Sequence, residues 1–203
     1  MSLFLKNSNK KSSDYNNCHA IDPSIKFYTP EILLDALVIN DIASNLTEDS
    51  RFLVFGLGHD SCMWFNLCPN TCFVEHNPKY INKALEYIPK ANIVHCKYKG
   101  ISVWNSFGMT EERLSSLPMP PELEGAEPFD VILIDGPTGY NFFLSGRMLP
   151  CYWAMKHFSQ PGTLVYIDDS ERKLESYCID RFFKGKVSQS FPSRDGCVKI
   201  AME

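Results

Sequence analysis

The chain has 203 residues, of which 44% are hydrophobic and 22% are charged, as in an ordinary globular protein with a buried core. Its formal net charge of −4 argues against a nucleic-acid groove, because such grooves carry a basic surface. We therefore predict one folded domain over residues 25–203. The preceding residues, 1–24, are rich in Ser, Asn and Lys and are expected to be mobile.

The eight cysteines are expected to be free thiols rather than disulfides. The N-terminus lacks a secretory apolar run, and the sequence contains no Cys-x-x-Cys pair of the kind that binds zinc. No apolar run is long enough to span a membrane. These features predict a reduced, cytoplasmic protein without a membrane anchor.

Apolar patterning predicts alternating strands and helices along the chain. The predicted strands are 52–55, 72–74, 93–94, 131–134, 164–167, 187–191 and 197–201. The predicted helices are 30–46, with Thr29 as N-cap, then 60–67, 78–88, 110–117, 147–158 and 170–183. This order predicts an α/β fold with a doubly wound, mostly parallel seven-stranded sheet and an antiparallel C-terminal edge hairpin.

A glycine-containing turn follows the first predicted strand, and a carboxylate ends the second. The turn carries Gly56, Gly58 and Ser61, and the carboxylate is Glu75. In Rossmann-like sheets such glycines let the backbone approach a nucleoside, and the acid hydrogen-bonds the ribose hydroxyls. Because Ser61 stands where a dinucleotide fingerprint has its third glycine, we favour S-adenosylmethionine, which has no pyrophosphate.

Three further carboxylates, Asp135, Asp168 and Asp169, follow the fourth and fifth strands. Carboxylates at adjacent strand ends repel one another unless a positive charge lies between them, and Mg²⁺ or Mn²⁺ would supply it. Such an ion would also acidify an acceptor hydroxyl. The structural alternative is that Asp169 caps the following helix and Asp135 hydrogen-bonds the turn at Gly136.

Other polar residues near these strand ends have weaker claims. His59 directly follows the glycine turn and is a candidate proton acceptor, although a lone histidine is more often simply hydrogen-bonded in place. Tyr140 and Arg147 follow the fourth strand, where an acceptor would lie. A packing tyrosine and a surface arginine are equally good interpretations of these two.

Several segments resemble the plant glucuronoxylan 4-O-methyltransferase family over residues 30–203. They are 52–64, 73–75, 129–140, 145–148 and the strand ending at 167–169. The resemblance implies a class I methyltransferase fold that moves a methyl group from S-adenosylmethionine to a sugar hydroxyl. The plant enzymes have an N-terminal membrane anchor and a histidine where this chain has Asp168. An Asp-Asp pair there is more similar to metal-dependent macrolide-sugar and catechol O-methyltransferases.

The resemblance also implies roles by matching position. Gly56, Gly58, Ser61 and Glu75 would hold the cofactor, and the residues expected around the reaction centre are Tyr98, Asp135, Tyr140, Arg147 and Asp169. We assign Tyr98 and Asp135 to the cofactor site as well, Tyr140 and Arg147 to the acceptor, and Asp135, Asp169 and His59 to catalysis. Asp135, Asp168 and Asp169 are the predicted metal ligands.

The sequence thus predicts an O-methyltransferase acting on a sugar of a glycan or glycoconjugate, assisted by a divalent metal. Three alternatives remain open: a metal-independent small-molecule O-methyltransferase, a nucleotide-cofactor oxidoreductase, and an inactive binding protein with the same fold. The expected partner is a sugar-containing acceptor and not a nucleic acid, and a homodimer is left open.

Overall fold

A computed structural model describes residues 20–203 and contains one seven-stranded sheet. The strands are β1 (Phe52–Phe55), β2 (Thr71–Glu75), β3 (Ile93–His95), β4 (Val131–Ile134), β5 (Leu164–Asp168), β6 (Val187–Phe191) and β7 (Cys197–Ala201). Their order is β3-β2-β1-β4-β5-β7-β6. Strands β1 to β5 pair in parallel, and β7 pairs antiparallel with β5 and β6. The predicted fold class, including its edge hairpin, is confirmed.

Within the described part of the chain, seven α-helices connect and cover the strands. They are α1 (Ala36–Ser44), α2 (Ser61–Leu67), α3 (Pro78–Ala84), α4 (Val103–Ser106), α5 (Glu111–Ser115), α6 (Met148–Trp153) and α7 (Lys173–Phe182). A π-helical turn, Ala154–Phe158, continues α6. Helix α4 was not predicted, because its four residues are too few to show a helical period. Within residues 20–203 the structure has no helix long and apolar enough to cross a membrane.

The first helix begins later than its sequence predicts. Thr29 is not its N-cap. Instead Asp35 accepts a hydrogen bond from the Leu37 amide at 2.8 Å and caps α1. Residues 29–34 form turns in which Ile32 is buried and Leu33 is 93% exposed. The local capping bond and the burial of alternate side chains outweigh the helical spacing that the sequence shows.

The predicted mobile segment, 1–24, lies largely outside the described residues. Its last residues are described, and they are attached to α1. The Asn40 side chain donates to the Ala20 carbonyl at 2.9 Å and accepts from the Asp22 amide at 3.0 Å. The domain division proposed from the sequence stays a prediction.

Alternate residues of the central strands pack into two hydrophobic layers, one on each face of the sheet. On one face Leu53 and Phe55 of β1 pack with α4 to α7, and on the other Phe52 and Val54 pack with α1 to α3. Trp64 and Trp153 are buried, one in each layer. With both faces covered, polar groups at the carboxyl ends of β1, β2, β4 and β5 meet at one edge of the sheet.

Candidate functional site

The turn after β1 passes very close to the end of β4. Gly56 has φ +120°, a conformation that favours glycine, and a Cβ there would lie 3.4 Å from the Asp135 backbone. A Cβ on Gly136 would lie 3.0 Å from the Gly56 Cα. The two glycines therefore allow β1 and β4 to bring their strand ends together. Ser61 closes the turn, since its Oγ accepts from the Gly58 amide at 2.9 Å.

Glu75 is buried at the end of β2 and is bound by three backbone amides. Its Oε2 accepts from Leu57 at 2.9 Å, and its Oε1 accepts from His76 at 2.7 Å and Asn77 at 2.6 Å. Burial opposes ionisation, but the hydrogen bonds from His76, Asn77 and Leu57 hold the pKa of Glu75 below its usual value. Glu75 is therefore an ionised carboxylate joined directly to the glycine turn.

A cavity of about 270 Å³ opens beside this turn at the carboxyl edge of the sheet. Its charged and titratable lining is Glu31, His59, Asp60, Glu75, His76, Tyr80 and Asp135. Four of these residues are carboxylic acids, and neither lysine nor arginine is present among the described residues that line the cavity. Gly56 and Gly58 contribute backbone to the same wall. The cavity is therefore electronegative and suits a ligand that carries positive charge and hydroxyl groups.

Arg147 occupies the centre of the predicted carboxylate cluster. Its guanidinium lies 2.9 Å from Asp135 Oδ1, 2.6 Å from Asp169 Oδ2 and 3.9 Å from Asp168 Oδ2, and its side chain is only 4% exposed. It also donates to the backbone carbonyls of Asp135 and Asp168. The positive charge that these carboxylates require thus comes from the chain itself. The sequence predicted that Arg147 contacts the acceptor. The structure adds that its side chain is buried among the three carboxylates.

The cluster raises the pKa of two of its carboxyl groups. Burial is the largest cause for both Asp135 and Asp168, and repulsion from neighbouring carboxylates adds to it, while Arg147 opposes the shift. The two groups lie close enough to titrate together. One proton can therefore be held between them at a pH where an ordinary aspartate has lost its own.

Asp169 differs from the other two carboxylates. It lies between two guanidinium groups, 2.6 Å from Arg147 and 2.7 Å from Arg172. The alternative role considered for it, capping the last helix, is not what the structure shows, because α7 begins at Lys173 with Arg172 as its N-cap. Asp169 instead has a left-handed φ of +57° and holds the two arginines in place.

The remaining predicted residues are divided between the cavity and its surroundings. His59 is exposed and lines the cavity. Tyr98 is buried, with its ring stacked 6.0 Å from that of Trp153, and it is not part of the cavity lining. Tyr140 is 75% exposed on the loop after β4. The structure thus brings Gly56, Gly58, His59, Glu75 and Asp135 together around one cavity.

Asp60 is a site residue that the sequence did not single out. It lines the cavity, is almost fully buried, and accepts from the Trp64 indole nitrogen at 2.7 Å. Burial raises the pKa of Asp60, and the charge of Asp168 adds to that effect. Its position directly after the glycine turn was the available signal. Its partner Trp64 lies one helical turn further along α2, which only the fold makes apparent.

The chain is similar in sequence to a family of plant proteins. A family description, IRX15/IRX15L/GXM, matches residues 36–112. Glucuronoxylan 4-O-methyltransferase 1 of Arabidopsis thaliana is 28% identical over 192 residues, which cover 83% of this chain and 66% of the relative. The chain resembles the glucuronoxylan 4-O-methyltransferase family. The predicted resemblance is confirmed.

A second relative has a different polysaccharide in its name. Arabinogalactan O-methyltransferase 2 of Arabidopsis thaliana is 29% identical over 158 residues, covering 65% of this chain and 54% of the relative. This chain therefore spans between about half and two thirds of the length of these glycan methyltransferases.

Solved structures support the fold. A fibrillarin/Nop5p complex contains a chain that is 14% identical, with a TM-score of 0.51, covering 87% of this chain and 90% of that one. At this identity the likeness shows the fold alone. Together with the strand order described above, it agrees with a class I methyltransferase fold.

Proposed function

We propose that this protein transfers a methyl group from S-adenosylmethionine to a hydroxyl group of a sugar in a glycan or glycoconjugate. The observation that carries the proposal is the cavity at the carboxyl edge of the sheet, which has four carboxylic acids and no lysine or arginine among its described lining residues. S-adenosylmethionine has a net positive charge and fits this electrostatic surface, whereas the pyrophosphate of a dinucleotide would be repelled. The sugar comes from the names of the relatives.

Different residues that line the cavity suit different parts of the reaction. Glu75 accepts from the Leu57 amide of the glycine turn through Oε2 and from the His76 and Asn77 amides through Oε1, and it can accept ribose hydroxyls on its remaining lone pairs. Gly56 and Gly58 present their backbone to the cavity as part of its wall. Asp135 also lines the cavity, and its side chain is 37% exposed, so an acceptor hydroxyl can reach it.

The bound cofactor supplies an electrophilic methyl group on a sulfonium. An acceptor oxygen that attacks this methyl group would form the new C–O bond as the C–S bond breaks, and the bonding pair would stay on the sulfur as a neutral thioether. Asp135 takes the hydroxyl proton, for which its raised pKa suits it near neutral pH. Arg147 orients this carboxylate through Oδ1. Asp169 is less available to an acceptor, because two guanidinium groups already contact its Oδ2.

Metal assistance was predicted from the three aspartates, and one observation favours it: their oxygens lie within 4.8 Å of one another. The arrangement does not fit an ion held by all three, since Arg147 already contacts each of them and would repel a cation at their centre. We therefore propose general-base chemistry first, with the metal-assisted reaction as the second candidate. Cytoplasmic location and a homodimer stay predictions.

Thermal unfolding with ligands tests the proposal. We expect S-adenosylhomocysteine and S-adenosylmethionine to raise the melting temperature by mass action, and NAD to leave it unchanged. The shift should be lost in Glu75→Gln and kept in Glu86→Gln, which changes an exposed glutamate. A shift with NAD alone would favour an oxidoreductase. No shift with any of the three would contradict the methyltransferase proposal.

Addition of Mg²⁺ or Mn²⁺ to the same experiment, and to a methyl-transfer assay on sugar acceptors after treatment with EDTA, separates the two candidate mechanisms. General-base chemistry predicts turnover that EDTA leaves intact. Turnover that EDTA abolishes and Mg²⁺ restores would favour the metal-assisted reaction. Absence of turnover on sugar acceptors, despite cofactor binding, would favour another acceptor class or an inactive binding protein.

A further inference from the structure

Four exposed aromatic side chains belong to two hydrogen-bonded segments beside the candidate site. Tyr140, Phe142 and Phe143 belong to the loop 136–146 after β4 and are 75%, 61% and 93% exposed. Trp104 of α4 is 75% exposed, and its ring meets that of Phe142 edge-on at 6.1 Å. We call Trp104, Tyr140, Phe142 and Phe143 the aromatic ledge. Exposure of several large rings in one place usually marks a binding surface.

The backbone that carries the ledge is held in place by hydrogen bonds. The amides of Val103 and Trp104 donate to the carbonyls of Leu144 at 2.8 Å and Phe142 at 3.0 Å. Within the loop, the Phe143 amide donates to the Asn141 side chain at 3.0 Å. The rings therefore project from a fixed frame, which reduces the entropy lost when a ligand orders them.

The ledge continues directly from the candidate site. Its loop connects Asp135 to Arg147, and Pro137 and Thr138 at the start of the loop line the cavity. The Gly146 amide donates to the Thr138 carbonyl at 3.2 Å and closes the loop at its base. A ligand with one group in the cavity can therefore extend over the ledge.

We propose that the aromatic ledge binds neutral sugar rings of the acceptor, next to the sugar that is methylated; this rests on the proposed function. The C–H face of a pyranose packs against an aromatic ring while its hydroxyl groups stay in water or bond to polar neighbours such as Asn141. The loop 136–146 contains no charged residue, so it offers stacking without ionic contacts. The inferred ligand is an oligosaccharide rather than a single sugar.

Other occupants fit the surface less well. An anionic membrane surface or a nucleic acid would need lysine or arginine beside the rings, and the loop has neither, while the chain carries a net charge of −4. A second copy of the chain would cover the ledge by hydrophobic contact alone. The membrane surface and the second copy are outcomes that the titration distinguishes from a glycan.

Trp104 makes the ledge observable by fluorescence. It is the exposed tryptophan of the three in the chain, because Trp64 and Trp153 are buried. The experiment titrates the full chain with xylohexaose, a galactan hexasaccharide and the monosaccharide xylose, and measures S-adenosylhomocysteine binding separately by calorimetry. The variants are Phe142→Ala with Phe143→Ala, and Tyr87→Ala as a control at an exposed aromatic residue outside the ledge.

We expect at least one hexasaccharide to shift the Trp104 emission and xylose to leave it unchanged at the same concentration. The double variant should bind that hexasaccharide at least tenfold more weakly than the wild type and bind S-adenosylhomocysteine with wild-type affinity. Tyr87→Ala should bind both ligands as the wild type does. Equal hexasaccharide affinity in the double variant and the wild type would overturn the inference.

The result also separates this inference from the proposed function. Cofactor binding without any hexasaccharide response overturns the ledge and leaves the methyltransferase standing. A hexasaccharide response without cofactor binding overturns the methyltransferase proposal and leaves the ledge as a sugar-binding surface. A Trp104 shift caused only by phosphatidylserine vesicles, or one that follows a concentration-dependent dimer in sedimentation, also overturns the ledge as a sugar site.

Discussion

The Arg147 guanidinium contacts Asp135 twice, donating to its backbone carbonyl at 3.0 Å and to its carboxylate at 2.9 Å. This double contact fixes the side chain that follows β4 relative to the start of α6. It also places a buried positive charge within a group of carboxylates that would otherwise repel one another. Stability and the proposed chemistry therefore depend on the same arginine.

Replacement of Arg147 by Gln should destabilise the fold by about 3–5 kcal/mol, because the buried carboxylates lose their counter-charge. Urea unfolding measures this directly. Arg172→Gln is the matched control, since Arg172 also contacts Asp169 but is 36% exposed, and a smaller loss is expected. Equal losses in the two variants would show that Arg147 is not the central charge of the cluster.

Asp168→Asn should change how stability depends on pH. The raised pKa of Asp168 means that the folded state binds its proton more tightly than the unfolded state, so wild-type stability falls as the pH rises from the ordinary aspartate range through the folded pKa. The variant should lack this fall and become more stable than the wild type on the alkaline side of that range. Parallel curves of unfolding free energy against pH for the two proteins would show that Asp168 does not cause the fall in stability.

Asp135→Asn should reduce kcat by about 100- to 10,000-fold, the usual contribution of a general base, while S-adenosylhomocysteine still binds. The wild-type rate should fall as the pH is lowered through the raised pKa of this group, because the protonated carboxyl cannot accept the hydroxyl proton. Steady-state kinetics across pH test both statements. His59→Gln is the comparison, and a larger loss there than in Asp135→Asn would transfer the role of base to His59.

Glu75→Gln should weaken S-adenosylhomocysteine binding at least tenfold and lower stability by about 1–3 kcal/mol, since a buried acceptor is replaced by a group that is half donor. The Gln amide would face amide donors of Leu57 or of His76 and Asn77. Calorimetry and urea unfolding measure the two effects. Loss of stability with unchanged ligand affinity would confine Glu75 to a structural role.

Gly136, which follows β4, lies in close contact with the glycine turn after β1. Gly136→Ala should disturb the contact between β1 and β4, because its Cβ would lie 3.0 Å from the Gly56 Cα and 3.1 Å from the Phe55 carbonyl oxygen. We expect lower stability and weaker cofactor binding together. Gly108→Ala, where nothing lies within 4 Å, is the control. If Gly136→Ala kept the melting temperature and the cofactor affinity of the wild type, the close contact between β1 and β4 would not be needed for either property.

Periodicity located the strands and most helices, because the central strands are buried on both faces and read as continuous apolar runs. It located the first helix poorly. The apolar residues of 29–34 also recur at helical spacing, yet Leu33 is exposed and Asp35 caps the helix six residues after Thr29. The pattern records that residues are apolar, and only the completed sheet decides which of them are buried.

By itself the sequence determined the order of strands and helices, the glycine turn joined to Glu75, and the three aspartates at neighbouring strand ends. These are local features, set by apolar period and by the edge of the sheet at which parallel strands end. Only the tertiary structure decided that the charge among the aspartates is Arg147, that Tyr98 is buried outside the cavity lining, and that Trp104 reaches Phe142. Each of these depends on contacts between distant parts of the chain, whose distances and burial arise only when the sheet and its helices pack together.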